Sequence, residues 1–311
     1  MRLGAGHGCS SVLVEPCARG RARDRDNGAV TRDQLREHLL RTRIAGDVAT
    51  PREVNLRHYR RFALRDPAYL LGLDPAPEWD EAAVLALLAE RAGVSPDPGR
   101  AEGPDTIDPE LTLAALDRFA DELAAAAARR GSVLVGTGHP ATLLGFHAAV
   151  AGALAAAGCA VRTPAHHHRF TLHDRDGAHP CALDYIRSVG TVRMYEESGT
   201  GGPEGSGGPA LRPMPSPTHT HSPQPVRIAL AALAAAGEPP PDLVIGDHGW
   251  MCGAGRLGVR TIGFADSNDP APFVAEAIGE AAVTVPLDDG VRAEYYAPLI
   301  AHVLHRAGLS R

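Results

Sequence analysis

Four amphipathic stretches before Arg130, and short apolar runs alternating with helical ones after it, predict an α/β protein. A third observation supports this. Several segments that end in small or polar residues run straight into a proline, which suits the first turn of a helix. The expected fold is a Rossmann-like parallel sheet over residues 131–311, with a helical N-terminal subdomain over residues 31–130. Residues 1–30, rich in glycine and arginine and without period, read as a disordered extension.

The elements follow in order. In TRDQLREHLLRTRIAG, Leu35, Leu39 and Leu40 fall at helical spacing behind a Thr31 cap. Thr50 and Pro51 look like the cap and first position of a second helix running toward Leu64. WDEAAVLALLAERAGV spaces Val84, Leu87, Leu88 and Arg91 by three or four, a third helix. A fourth has Asp108 as cap, Pro109 in its first turn, and Leu113, Leu116, Phe119 and Leu123 as its buried stripe. After Arg130 the pattern changes. SVLVGTGHP is a short strand entering a helix with Leu143, Phe146, Val150 and Leu154 on one face, and AGCAVRTP opens a second strand. Residues 162–217 resist reading, apart from a strand at Thr191–Tyr195 and a flexible glycine-rich loop near 196–215. Regular alternation returns with THTHSPQPVRIALAALAAAG, DLVIGDHGW, VRTIGFADSNDPAPFVAEAIG and AAVTVPLDD, and a last helix runs through Leu304.

Bulk properties narrow the function. A net charge of −6 argues against a nucleic-acid partner, which would need a basic patch. The most apolar stretch, ATLLGFHAAVAGALAAAG, is mostly alanine and carries His147, so no membrane span is expected. MRLGAGHGCSSVLVEPC lacks the continuous apolar core of a secretory signal. Cys9, Cys17, Cys159, Cys181 and Cys252 form no C-x-x-C pair, and scattered thiols of this kind suit a reduced, cytoplasmic protein.

Three junctions share one design. GTGHP, THTHSP and ADSNDP place His139, Ser222 and Asp269 before Pro140, Pro223 and Pro270. Free N–H groups and the positive end of the helix dipole favour an anion there, and in an open α/β sheet such junctions share the edge where ligands bind. Gly136, Thr137, Gly138, His219, Thr220, His221, Ser222 and Asn268 are therefore candidates to bind phosphate. Asp247 and Asp266, acids at the ends of buried strands, are candidates for catalysis and, with Asp269, for holding a divalent cation such as Mg²⁺ or Mn²⁺. His139 and His248 are candidate proton shuttles. Plainer readings stand beside these. Asp269 reads first as a helix cap, and His139 serves equally well as one. In an extended segment His219 and His221 would point the same way.

Other signals carry less. GAGRLG, Gly253–Gly258, fits G-x-G-x-x-G but starts too far beyond the strand for a dinucleotide fingerprint. His166, His167 and His168 read as a surface tract. Arg43, Arg52 and Asn55 could reach over the edge as a phosphate clamp, or simply be solvated surface.

TRIAGDVATPREVNLRHY, DTIDPELT, GTGHP, THTHSP, DHGW and GFADSNDPA followed by VTVPLDD resemble the signature blocks of an actinobacterial phosphatase family, from about Thr31 to Leu309. The resemblance implies phosphatase chemistry on a small phosphorylated substrate. It carries no catalytic residue across. The N-terminal 30 residues and the segment Ala165–Pro215 depart from the family pattern. No nucleophile stands in a D-x-D, C-x₅-R or R-H-G block, so a metal-assisted attack by water is expected. A module that binds a phosphorylated metabolite or nucleotide without turning it over is the alternative. Oligomeric state is not legible.

Overall fold

The computed structural model describes residues 1, 30–75, 78–174, 177–197 and 211–310. The expected N-terminal extension and most of the glycine-rich loop lie outside them. α1 (Arg32–Thr42) starts as the sequence indicates, with Thr31 and Gln34 forming a reciprocal capping box. Next come β1 (Gly46–Pro51), α2 (Arg52–Ala63), α3 (Pro67–Leu70), α4 (Glu81–Ala92), β2 (Pro104–Ile107) and α5 (Pro109–Arg129).

Two features of this part differ from expectation. The segment read as wholly helical contains an antiparallel pair, β1 with β2. Both strands are short, and their register shifts between Asp47 and Pro51, so no alternation of useful length marks them. Pro51 also ends β1 and caps α2, so Arg52 is the first helical residue.

The larger sheet begins with β3 (Ser132–Gly136), followed by α6 (Leu144–Ala156) and β4 (Ala160–Arg162). The region that resisted reading forms three antiparallel strands, β5 (Arg169–Asp174), β6 (Gly177–Ile186) and β7 (Val189–Glu197), with β8 (Leu211–Pro213) on β7. The strand expected at Thr191–Tyr195 lies within β7. The last part is α7 (Gln224–Ala235), β9 (Leu243–Asp247), α8 (His248–Gly255), β10 (Thr261–Ala265), α9 (Pro270–Ala277), β11 (Val283–Pro286), a 3₁₀ turn at Ala293–Tyr296, and α10 (Ala297–Arg306).

The sheet is mixed. β11, β10, β9, β3 and β4 run parallel in that order, and β7, also parallel to β3, leads into the antiparallel β6 and β5. The chain winds from β3 to β4 on one side, then returns to build β9, β10 and β11 on the other. This reversal falls between β3 and β9, and in open α/β sheets ligands bind beyond the strand ends at such a point. One apolar cluster runs from Leu35 and Leu39 in α1 through Phe119 in α5 to Val133, Phe264 and Val285 in the sheet. Phe119 stacks on Phe264 with centroids 5.1 Å apart.

The three proline junctions differ in detail. Pro270 is the first residue of α9, as expected. Pro223 holds the cap position of α7. Pro140 starts a turn, closed by bonds from Thr142 and Leu143 to the His139 carbonyl, and α6 begins only at Leu144. GAGRLG lies over the end of α8 and the turn after it, away from any strand-to-helix entry.

Candidate active site

The site forms where β3, β9, β10 and β11 end. β9 ends on Asp247, and α8 starts on the next residue, so His248 has no loop in which to turn away. Asp247 is fully buried and both its oxygens are taken up. Oδ1 accepts from the Gly138 amide (2.5 Å) and faces His248 Nδ1 (3.1 Å). Oδ2 accepts from the Thr137 hydroxyl (2.5 Å) and faces His147 Nε2 (3.3 Å). His248 bridges to Asp269, with Nε2 2.9 Å from Oδ2. Asp269 sits at the cap position of α9 yet caps nothing with its side chain, so it belongs to the imidazole instead of the helix.

Three more imidazoles complete this half. His139 Nδ1 stands 3.0 Å from His248 Nδ1. The His221 ring stacks on His248 with centroids 4.1 Å apart, and His219 packs against His139, also at 4.1 Å. His219 and His221 thus turn the same way, as their alternation suggested. His139, His219 and His221 form a group whose ligand atoms lie within 4.8 Å of one another.

The acidic half comes from the loops after β10 and β11. Asp266 accepts from the Thr50 hydroxyl (2.6 Å), the Ser267 amide (2.6 Å) and the Ser267 hydroxyl (3.1 Å). Asp288 accepts from the amides of Ala49 (3.2 Å) and Gly290 (2.9 Å). Asp289 lies 3.5 Å from His248 Nε2 and 3.6 Å from His139 Nδ1, and so joins the two halves. Asp266, Asp288 and Asp289 form a second group that could hold a cation.

The electrostatics follow from burial and charge. Burial opposes a charge on His248, but Asp269, hydrogen bonds to Asp247 and Asp269, and Asp289 outweigh it, holding the imidazole well above its ordinary value. That imidazolium then suppresses its neighbours. His139 falls to about 2 and His221 to about 3, first through burial and then through the His248 charge. His219 is lowered for the same reasons. Asp247 and Asp269 ionise well below the usual carboxylate range. Burial opposes this, but hydrogen bonds from His147 and His248 outweigh it at Asp247, and the His248 charge does so at Asp269. Burial and the Asp288 charge push Asp266 up to about 7, and burial with surrounding carboxylates raises Asp289. The acidic half is short of positive charge.

Several expected phosphate binders are engaged within the protein. The amides of Gly138, His139, Thr220 and Ser222 donate to Asp247, Thr137 Oγ1, the Gly138 carbonyl and Thr220 Oγ1. The Ser222 hydroxyl accepts from the Gln224 amide. Gly136 has a packing reason, since a β-carbon there would lie 2.2 Å from the Trp250 ring. The Asn268 carbonyl meets His58 Nδ1 at 3.0 Å.

The arginine clamp is not assembled. Arg43 donates to the carbonyls of Asp47 and Val48. Arg52 is buried and paired with Asp105 at 2.9 Å, and Asn55 bonds Asp105 and reaches Ser267. Arg52 and Asn55 therefore brace the Asp266 loop from behind.

Sequence reasoning missed Asp288, Asp289, Thr50 and His147. The first two carried a usable signal, since VTVPLDD puts acids just after a buried strand, as DLVIGDHG and GFADSND do. His147 lies inside an alanine-rich helix with no local cue.

The sequence profile of a family described as Phosphatase matches residues 30–311. The phosphatase SCO2771 of Streptomyces coelicolor is 44% identical over 284 residues, covering 91% of this chain and 98% of the relative. With a family match over nearly all of its length and a relative this similar, the chain belongs to this actinobacterial phosphatase family.

Proposed function

We propose that this protein hydrolyses a small phosphomonoester by cation-assisted attack of water, in a crevice of a Rossmann-like sheet capped by its N-terminal segment. The observation that carries the reading is the line Asp247–His248–Asp269, with neutral His139 at its open side. The charged His248 imidazole, fixed between two carboxylates, donates to Nδ1 of the partly exposed, neutral His139 3.0 Å away, which leaves the His139 Nε2–H to meet the leaving oxygen. A divalent cation, when bound, supplies the positive charge that a phosphoryl group needs and lowers the pKa of a water. The donor set suits one: buried carboxylates and neutral imidazoles, with no lysine anywhere in the chain. Asp247, with both oxygens already hydrogen-bonded, orients His248 and the Thr137–Gly138 turn in this reading.

The test is phosphate release from a panel of small phosphomonoesters, with Mg²⁺ or Mn²⁺ and with chelator. Cation-dependent release that falls roughly a hundredfold or more in His139→Ala is expected. Saturable substrate binding with no phosphate released under any condition would establish the non-catalytic module instead.

A further inference from the structure

We infer that the cation of the reading just given, on which this inference rests, sits on Asp266, Asp288 and Asp289 and not on Asp247 or the imidazoles. Each of these three carboxylates offers an oxygen, and those oxygens lie within 4.8 Å of one another. All three are buried, at 3%, 3% and 5% exposure.

The way they are held separates this cluster from an ordinary acidic patch. Asp266 and Asp288 are fixed by hydroxyls and backbone amides: Thr50 and Ser267 on one, Ala49 and Gly290 on the other. Neutral donors set the geometry and leave the charge uncompensated. Among the described residues no arginine pairs with any of the three, and Arg52, which approaches from α2, goes to Asp105.

Asp289 supplies an independent sign. Its Oδ2 is buried and makes no hydrogen bond, and the imidazole nitrogens at 3.5 and 3.6 Å are too distant to satisfy it. A buried carboxylate oxygen with no donor is costly unless something else meets it. In a ring of three acids, that partner is a cation.

All-oxygen, anionic ligation selects a hard ion, Mg²⁺ or Mn²⁺, over one that prefers nitrogen or sulfur. The placement also suits the reaction, because Asp289 touches both the cation position and the His139–His248 pair.

The experiment uses the full chain stripped of metal, with Mn²⁺ as the probe and no substrate. Binding is read from the loss of the free Mn²⁺ resonance signal, and stability from Tm with and without Mn²⁺. Wild type should bind Mn²⁺ and gain Tm. Asp289→Asn should weaken Mn²⁺ binding by at least about tenfold, lose the Mn²⁺-dependent gain, and melt no lower than wild type without metal, because a crowding charge has gone. His219→Ala should bind Mn²⁺ as wild type does. Unchanged binding in Asp289→Asn, or binding lost in His219→Ala but kept in Asp289→Asn, overturns the assignment. If Asp289→Asn melts lower without metal, Asp288→Asn replaces it, and retained Mn²⁺ affinity there counts against the site. Mn²⁺ bound here with no phosphate release would defeat the phosphatase reading alone, and phosphate release with Mn²⁺ bound elsewhere would defeat this inference alone.

Discussion

His248 holds φ at +43°, a region that residues with a β-carbon seldom enter and that costs on the order of 1–3 kcal/mol. Its ring is held at both nitrogens by Asp247 and Asp269, and those bonds keep the backbone there. Asp247 is the anchor, so Asp247→Asn should be damaging although it keeps the shape. It turns one acceptor into a donor that faces either Gly138 and His248 or Thr137 and His147. The expected loss is about 3 kcal/mol, read from the urea midpoint at unchanged slope. At this scale the sequence is informative wherever chemistry departs from local habit. Asp247, Asp266 and His139 stand out because acids and imidazoles seldom lie at or just past the end of a buried strand. His147 is not, because its partner is far away in the chain, and Arg52 misleads because a buried arginine and an exposed one look alike in sequence.

Among the elements, α8 depends on a flat seat. The Trp250 side chain lies where β-carbons on Gly136, Gly190 and Gly246 would otherwise stand: the first two would be 2.2 Å from its ring and the third 2.8 Å from its Cβ. Three strands, β3, β7 and β9, leave room for one ring, and that ring fixes the helix whose first residue is His248. Gly190→Ala should therefore destabilise by roughly 1–3 kcal/mol. It should also lower phosphate release, although Gly190 is not a donor in the site; Tm and turnover measured together check this. The amphipathic helices α1, α4 and α5 were legible because their buried residues recur at helical spacing. α8 was not, since every residue of HGWMCGAG is buried and no polar face marks a period. β5 and β6 escaped for another reason, and β7 was read only over its middle: their pairing is long-range, and prolines and histidines obscure the alternation.

Across the molecule, the N-terminal segment is fastened to the acidic edge by a buried chain of contacts. Arg52 and Asn55 bond Asp105, Asn55 reaches Ser267, and the Tyr59 hydroxyl donates to the Ser267 carbonyl. Asp105→Ala strands the Arg52 guanidinium without its carboxylate and should cost about 3–5 kcal/mol, measured by chemical denaturation. Added Mn²⁺ should recover part of that loss, because binding to the folded state draws the equilibrium toward it. The α/β class was visible from the alternation of segments after Arg130. The turnaround between β3 and β9 was not, because strand order is set by pairing that no local pattern records.

The bare seat under Trp250 also bears on how this protein could be made hardier. Replacing strand glycines with alanine usually stiffens a chain at little risk, but here it would lift the indole and tilt the helix that carries His248 with it. Open ground lies in α6 instead. Gly145 and Gly152 are exposed, and an added methyl at either would meet nothing within 4 Å. Gly152→Ala should raise stability by about 0.4–1 kcal/mol and leave turnover untouched, as thermal melting and an activity assay would show.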